Sequence, residues 1–190
     1  MKTNTYQFIL LTFSGWLGSV LMGLVVVGTA IFSPHSSNFM FVSAGLYGSI
    51  FFALLKYRSL KEQVFGMIIM FFLNLVIFQG RSISVYIVIR DIVWLVSLFL
   101  SVKLYFLFIH KYSDVRHFLR SFALAFIFGL FSSASGLILF LINVGKFPPM
   151  DFIYTMARYG VLIGFGIGFG VDLYLQNKDK IFTLLKIKAI

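Results

Sequence analysis

The sequence predicts an all-α membrane helix bundle with six transmembrane helices, and three observations predict it. Of the 190 residues, 60% are hydrophobic and only 12% charged, with a mean hydropathy of +0.98. A soluble domain of this length needs far more polar surface to cover its core. The apolar residues fall in runs of about 20, not in alternating segments of about ten, so helices rather than a barrel would satisfy the backbone in lipid. Lysines and arginines cluster in the short segments between runs, the pattern that the positive-inside rule produces.

Helix 1 is expected over residues 6–32. Lys2 ahead of an apolar run faintly resembles a signal peptide, but the run from Phe8 to Phe32 is too long for a usual h-region. It is read as an uncleaved first helix. The turn residues Ser33-Pro34-His35-Ser36-Ser37-Asn38 predict a loop. Helix 2 follows over 39–55, stopped by Lys56, Arg58, Lys61 and Glu62. Helix 3, over 63–79, is the shortest, and its 17 residues would rise roughly 25 Å.

Gly80-Arg81-Ser82 predicts the next turn and helix 4 occupies 84–109. A loop at 110–116 leads to helix 5 over 117–143. Pro148 and Pro149 forbid helix continuation, so helix 6 starts afresh and runs over 151–176. The tail 177–190 is short and basic; its apolar residues alternate loosely with Lys180, Lys186 and Lys188, which suits either an interfacial amphipathic helix or a frayed end. Residues 1–190 thus form a single transmembrane domain.

Charge fixes the expected orientation. The side holding both termini would carry Lys2, Lys56, Arg58, Lys61, Lys111, Arg116, Arg120, Lys178, Lys180, Lys186 and Lys188. The opposite side would carry Arg81 and Lys146. Eleven against two places both termini in the cytoplasm of a cell (inner or plasma) membrane.

The same distribution argues against nucleic acid as a partner. The net charge is +10, but no contiguous basic face is available to track phosphates. No cysteine is present, which excludes disulfides, thiol catalysis and cysteine-bound metal. His35, His110 and His117 fall in or beside predicted loops, so no cofactor and no metal site is expected.

Ionisable groups at membrane depth are costly and are candidates for function. Arg90 and Asp91 in helix 4, Arg158 and Asp172 in helix 6, and Lys103 near the end of helix 4 qualify. Arg90 and Arg158 each lie about six residues into helices that run the same way, roughly 9 Å below one boundary. Equal depths predict ion pairs of Asp91 with Arg158 and of Lys103 with Asp172, and hence helix 4 beside helix 6. Neighbouring helical residues point about 100° apart, so Arg90 and Asp91 are not expected to serve each other. Two readings follow for Arg90: it extends to the head groups while the ion pairs serve only to fix helix packing, or it grips a small anionic ligand or a lipid head group. Tyr86-x-x-x-Arg90 echoes Tyr154-x-x-x-Arg158, which adds both tyrosines to the candidate ligand contacts.

Helix 6 carries Gly160, Gly164, Gly166, Gly168 and Gly170 in three overlapping Gly-x-x-x-Gly spacings. Small residues four apart let helices approach closely in lipid. The expected partner is helix 5, with Ser132, Ser133, Ala134, Ser135 and Gly136. A phosphate cradle would need a strand before the glycines, which is absent.

No hydrolase or transferase motif appears, so catalysis is not the primary expectation. The leading functional reading is a small transport or ligand-binding membrane component using the charges of helices 4 and 6. In length and helix count the chain is similar to substrate-binding components of energy-coupling-factor vitamin transporters, a likeness of size that carries over no residue. The alternative is a non-transporting subunit, such as a sensor input module, assembly factor or structural subunit with a membrane or cytoplasmic protein partner. A third is a lipid-modifying enzyme with Arg90 and Arg158 on phosphate.

Overall fold

The computed structural model describes residues 2–28, 34–79, 84–108 and 117–184, and the side chains of residues 5–25, 41–76, 84–107 and 119–184. These residues form six helices and no strand: α1 (Lys2–Gly28), α2 (Pro34–Tyr57), α3 (Leu60–Gln79), α4 (Val85–Phe108), α5 (His117–Val144) and α6 (Met150–Leu184). The expected turn at 80–82, the loop at 110–116 and the last six residues of the tail lie outside the described residues, wholly or in large part.

Two boundaries differ from expectation for identifiable reasons. Helix α2 begins at Pro34, within the stretch expected to be a loop. Proline suits the first helical position, because its missing N–H is one that a helix start leaves unpaired. Helix α6 does not stop at 176 but continues unbroken for 35 residues to Leu184. The tail to that point is therefore neither a separate interfacial helix nor a frayed end; Phe182 is 5% exposed and nothing in 177–184 breaks a helix.

Local chemistry explains other ends. Ser59 precedes α3, and its N–H and hydroxyl each donate to Glu62 Oε2 at 2.8 Å. This is a capping box, Ser-x-x-Glu, in which the glutamate closes the helix start. The carboxyl of Glu62 is held below its ordinary range by those hydrogen bonds. Ser84 caps α4 by accepting from the Ile87 N–H at 3.3 Å. Gly145 ends α5 at φ +70°, a left-handed conformation that glycine adopts without steric cost, with its N–H on the Leu141 carbonyl at 2.9 Å.

Pairs of touching residues give the direction of each helix. Gly15 meets Ser49, Gly45 meets Ser19 and Gly23 meets Phe41, so α1 and α2 are antiparallel. Gly18 meets Gly166 and Gly170 meets Ser14, making α1 antiparallel to α6 as well. Gly160 against Phe128 and Gly168 against Ser121 set α5 antiparallel to α6. Tyr47 packs on Trp94 and Phe51 on Phe99, so α2 and α4 run together. Helix α3 leaves the end of α2 with Gly66 on Leu54 and returns toward the start of α4. The helices alternate in direction, and both described ends of the chain lie at one end of the bundle.

The expected contact of helix 4 with helix 6 is not formed. No Cα atoms of α4 and α6 lie within 8 Å of each other. Helix α5 packs on both, and α2 touches both from the other side, so they stand across the bundle. Matching depth along two helices fixes height only; it carries no information about which helices are neighbours.

The five glycines of α6 fall on two faces. Gly160, Gly164 and Gly168 approach α5, where added Cβ atoms would strike Phe128, Leu124 and Ser121. Gly166 and Gly170 approach α1 at Gly18, Ser19 and Ser14. The two stripes are offset by two residues, about 200° around a helix, so they face opposite ways. The sequence reading assigned both stripes to helix 5 and missed α1. Gly18 was the available signal there. The patch on α5 meets α6 too, with Ser132 at Gly160 and Gly136 at Met156.

The outer surface is apolar. On α1, Tyr6, Ile9, Phe13, Leu17, Leu21 and Leu24 are exposed at three- and four-residue spacing, while Ser19 is fully buried. On α5, Leu119, Phe122, Phe126 and Leu130 do the same, with Ser121 buried. An apolar exterior over a core with polar groups suits lipid rather than water as the surroundings.

Candidate functional site

Five helices line a partly open cavity of about 380 Å³ at the end of the bundle opposite the described chain ends. Its wall takes Ser43 and Ala44 from α2, Asn74 from α3, and Arg90, Asp91 and Trp94 from α4. Helix α5 adds Ser132, Ser135, Gly136 and Leu139, and α6 adds Met156, Tyr159 and Ile163. A second void of about 40 Å³ continues from it toward the middle of the bundle, past Ser97, Ser101 and Phe128. Two of the serines there bond within their own helices: Ser101 donates to the Ser97 carbonyl at 2.7 Å and Ser135 to that of Ser132 at 3.0 Å. Such back-bonding lets hydroxyls sit at membrane depth without stranded donors.

The cavity is built around an ion pair that the sequence argument rejected. Arg90 Nε and Nη2 both donate to Asp91 Oδ1, at 3.0 and 2.8 Å. The two Cβ atoms do diverge, but the long arginine side chain folds back across the turn and brings its guanidinium to the neighbouring carboxylate. Asp91 is almost fully enclosed, its side chain 3% exposed, whereas that of Arg90 is 39% exposed. A carboxylate this deep needs a cation beside it, and the adjacent residue supplies one.

The other predicted site residues divide. Arg158 and Tyr154 lie on the exposed outer face of α6, away from the cavity, and Tyr86 is half-buried on α4 and does not line it. The pair Asp91–Arg158 is not formed. Neither is Lys103–Asp172: Lys103 is exposed with its Nζ 6.0 Å from the Phe99 ring centroid, and Asp172 accepts from Ser121 Oγ at 2.8 Å. Exposed lysine and arginine near a boundary can extend along lipid to the head groups. Sequence reasoning missed Asn74, Trp94, Met156 and Tyr159 as cavity residues. Asn74, 6% exposed in a run of apolar residues, was the legible signal among them.

Among the described residues no cluster of histidine, cysteine, aspartate or glutamate is arranged to hold a metal. The cavity offers one cation–anion pair with a buried carboxylate, an amide, hydroxyls and an indole on a mainly apolar wall. That is the make-up of a small-molecule pocket: a few oriented polar groups on an apolar surface.

Fold and surface together define the class: an all-helical, multi-pass membrane protein. Four of its helices, within Thr5–Val25, Val85–Leu107, Leu119–Val144 and Met150–Leu184, are long and apolar enough to cross a membrane, and Phe41–Tyr57 is a shorter apolar helix. Comparison with family models, with curated proteins and with solved structures gives no match to this chain.

Proposed function

We propose that all six helices cross a cell membrane, with both termini in the cytoplasm, and that the protein is a small ligand-binding or transport component whose site is the Arg90–Asp91 cavity. The alternating helix directions support six crossings, and the eleven-to-two excess of basic residues at the end holding the termini supports the orientation. A reporter active only in the cytoplasm, fused after Ile190, is expected to be active; a silent fusion refutes the orientation.

The observation that carries the binding reading is a charged pair, its carboxylate buried, in the wall of a cavity of about 380 Å³, within the range of small-ligand pockets. Asp91 takes two of the five guanidinium N–H bonds, leaving the Nη1 donors for a ligand. The preferred ligand is a small molecule with a carboxylate or similar acceptor on a largely apolar body. Because Asp91 already offsets the arginine charge, a zwitterion suits the site better than a multiply charged anion.

Trp94 in the wall provides the test, since the chain has only one other tryptophan, Trp16. The Trp16→Phe protein in mild detergent is screened with small carboxylates and amino acids, following Trp94 emission, and retained small molecules are identified by extraction. A saturable change that disappears with Arg90→Gln supports the proposal. No retained compound and no response to any probe, or a response unaffected by Arg90→Gln, overturns it.

A further inference from the structure

Among the polar groups of the cavity, Asn74 is one that the fold leaves idle. It is the one polar residue in 64–78, the apolar stretch of α3, and it is 6% exposed. Its side chain contributes to the cavity wall, yet it makes no hydrogen bond among the described residues. An asparagine at membrane depth normally bonds to a neighbouring helix, because an unpaired amide is costly there. Asn74 has no such bond, so helix packing does not account for a polar side chain at this position. Leucine would serve packing as well.

The helices place Asn74 level with Arg90. Asn74 lies five residues before the end of α3 at Gln79, and Arg90 five residues after the start of α4 at Val85. Both are thus roughly 7.5 Å in from the same end of the bundle. Among the described helices α3 packs only on α2 and α4, and both side chains line the same cavity. A molecule held by Arg90 therefore shares its space with the Asn74 amide.

The two groups ask for different chemistry. Arg90 only donates, which suits a carboxylate, whereas a carboxamide presents N–H donors beside a C=O acceptor. The group that meets both sides of a carboxamide at once is another amide. We propose that Asn74 is the second polar contact of the ligand, and that the cavity selects carboxylates that also carry an amide, such as N-acyl amino acids and dipeptides. The inference rests on the ligand-binding reading of the Arg90–Asp91 cavity.

The Trp16→Phe protein in mild detergent is titrated with N-acetylleucine and alanyl-leucine, following Trp94 emission. Each is compared with the analogue in which an ester oxygen replaces the amide N–H, and with leucine and 4-methylpentanoate, which lack the amide. The esters should bind about three- to tenfold more weakly than the amides, the effect of one lost hydrogen bond. Asn74→Leu should weaken the amides by a similar factor and abolish the preference for amide over ester, a change that a purely structural role would not produce. Because the Asn74 amide satisfies nothing in the fold, Asn74→Leu should not lower the melting temperature without ligand. The comparison of amide with ester also needs no substitution at that position. Arg90→Gln should remove the response to every compound.

An amide preference that Asn74→Leu abolishes supports the contact. Binding that is lost with Arg90→Gln but is equal for amide and ester, or that keeps its amide preference in Asn74→Leu, overturns this inference and leaves the cavity reading standing. No response to any compound, or a response that Arg90→Gln does not change, overturns both.

Discussion

Replacing Gly170 with alanine tests whether α1 and α6 are held by direct backbone contact. The added Cβ would land on the Ser14 carbonyl oxygen, with the Ser14 carbonyl carbon at 2.8 Å and Gly15 Cα at 3.1 Å. Comfortable carbon contacts are about 3.5–4.0 Å, so α1 has to retreat by roughly 1 Å. Every colliding atom is backbone, and none can rotate aside. Overpacking costs about 1–3 kcal/mol, and the upper end applies because the Gly18–Gly166 contact opens with the same movement. Alanine regains about 1 kcal/mol of helix propensity, leaving a net loss of about 2 kcal/mol. Gly66→Ala is the control: its Cβ would meet Leu54 Cδ1 at 2.8 Å, the far end of a flexible side chain that can turn away. Unfolding of the detergent-solubilised protein is followed through Trp16, whose indole N–H donates to the Val42 carbonyl at 3.1 Å across the α1–α2 contact. Gly170→Ala is expected to unfold clearly earlier than wild type, and Gly66→Ala at or above it. A Gly170→Ala protein as stable as wild type, or equal shifts in both variants, refutes the backbone-contact account.

Other outcomes follow from the charged groups. Arg90→Gln should destabilise by about 3 kcal/mol, because it removes the cation from beside a buried carboxylate, whereas Asp91→Asn leaves a partly exposed arginine that can extend outward and should cost less. The double variant should recover part of the loss, which a double-mutant cycle of melting curves measures. Lys103→Gln and Arg158→Gln, both exposed, should each change stability by less than about 0.5 kcal/mol in the same assay. The Ser59–Glu62 cap stabilises the start of α3 while Glu62 is ionised. Its folded-state carboxyl titrates below its ordinary value, so the contribution is full above about pH 4.3 and is lost as pH falls through the lowered value. Hydrogen exchange at the Gln63 amide should accelerate under those acid conditions relative to the base-corrected rate, and Ser59→Ala should reduce the difference.

How much of this was legible depends on how local the physics is. Membrane helices could be read from residues alone because each span satisfies its own backbone, so apolar run length and flanking charge suffice. The Ser59–Glu62 box was equally local, yet Glu62 was taken only as a stop for helix 2. Gly160 to Gly170 announced close packing, because a missing side chain has the same meaning in any lipid-embedded helix. The partner was another matter, since two opposed stripes require two neighbours and α1 lies well over 100 residues away in the chain. Arg90, Asp91, Arg158 and Asp172 were found by their cost in lipid, and their depths followed from helical rise.

Which charges meet was decided by the tertiary structure. Side-chain reach allowed Arg90 to fold back onto Asp91, and the insertion of α5 and α2 between α4 and α6 kept the other expected pairs apart. The cavity likewise exists only where five helices converge. The sequence by itself determined that the chain forms apolar helices with charge at their ends, because burial in lipid constrains every residue separately. Only the packed bundle decided the neighbours, because azimuth around a helix and adjacency between helices are settled by small-residue contacts across distant segments.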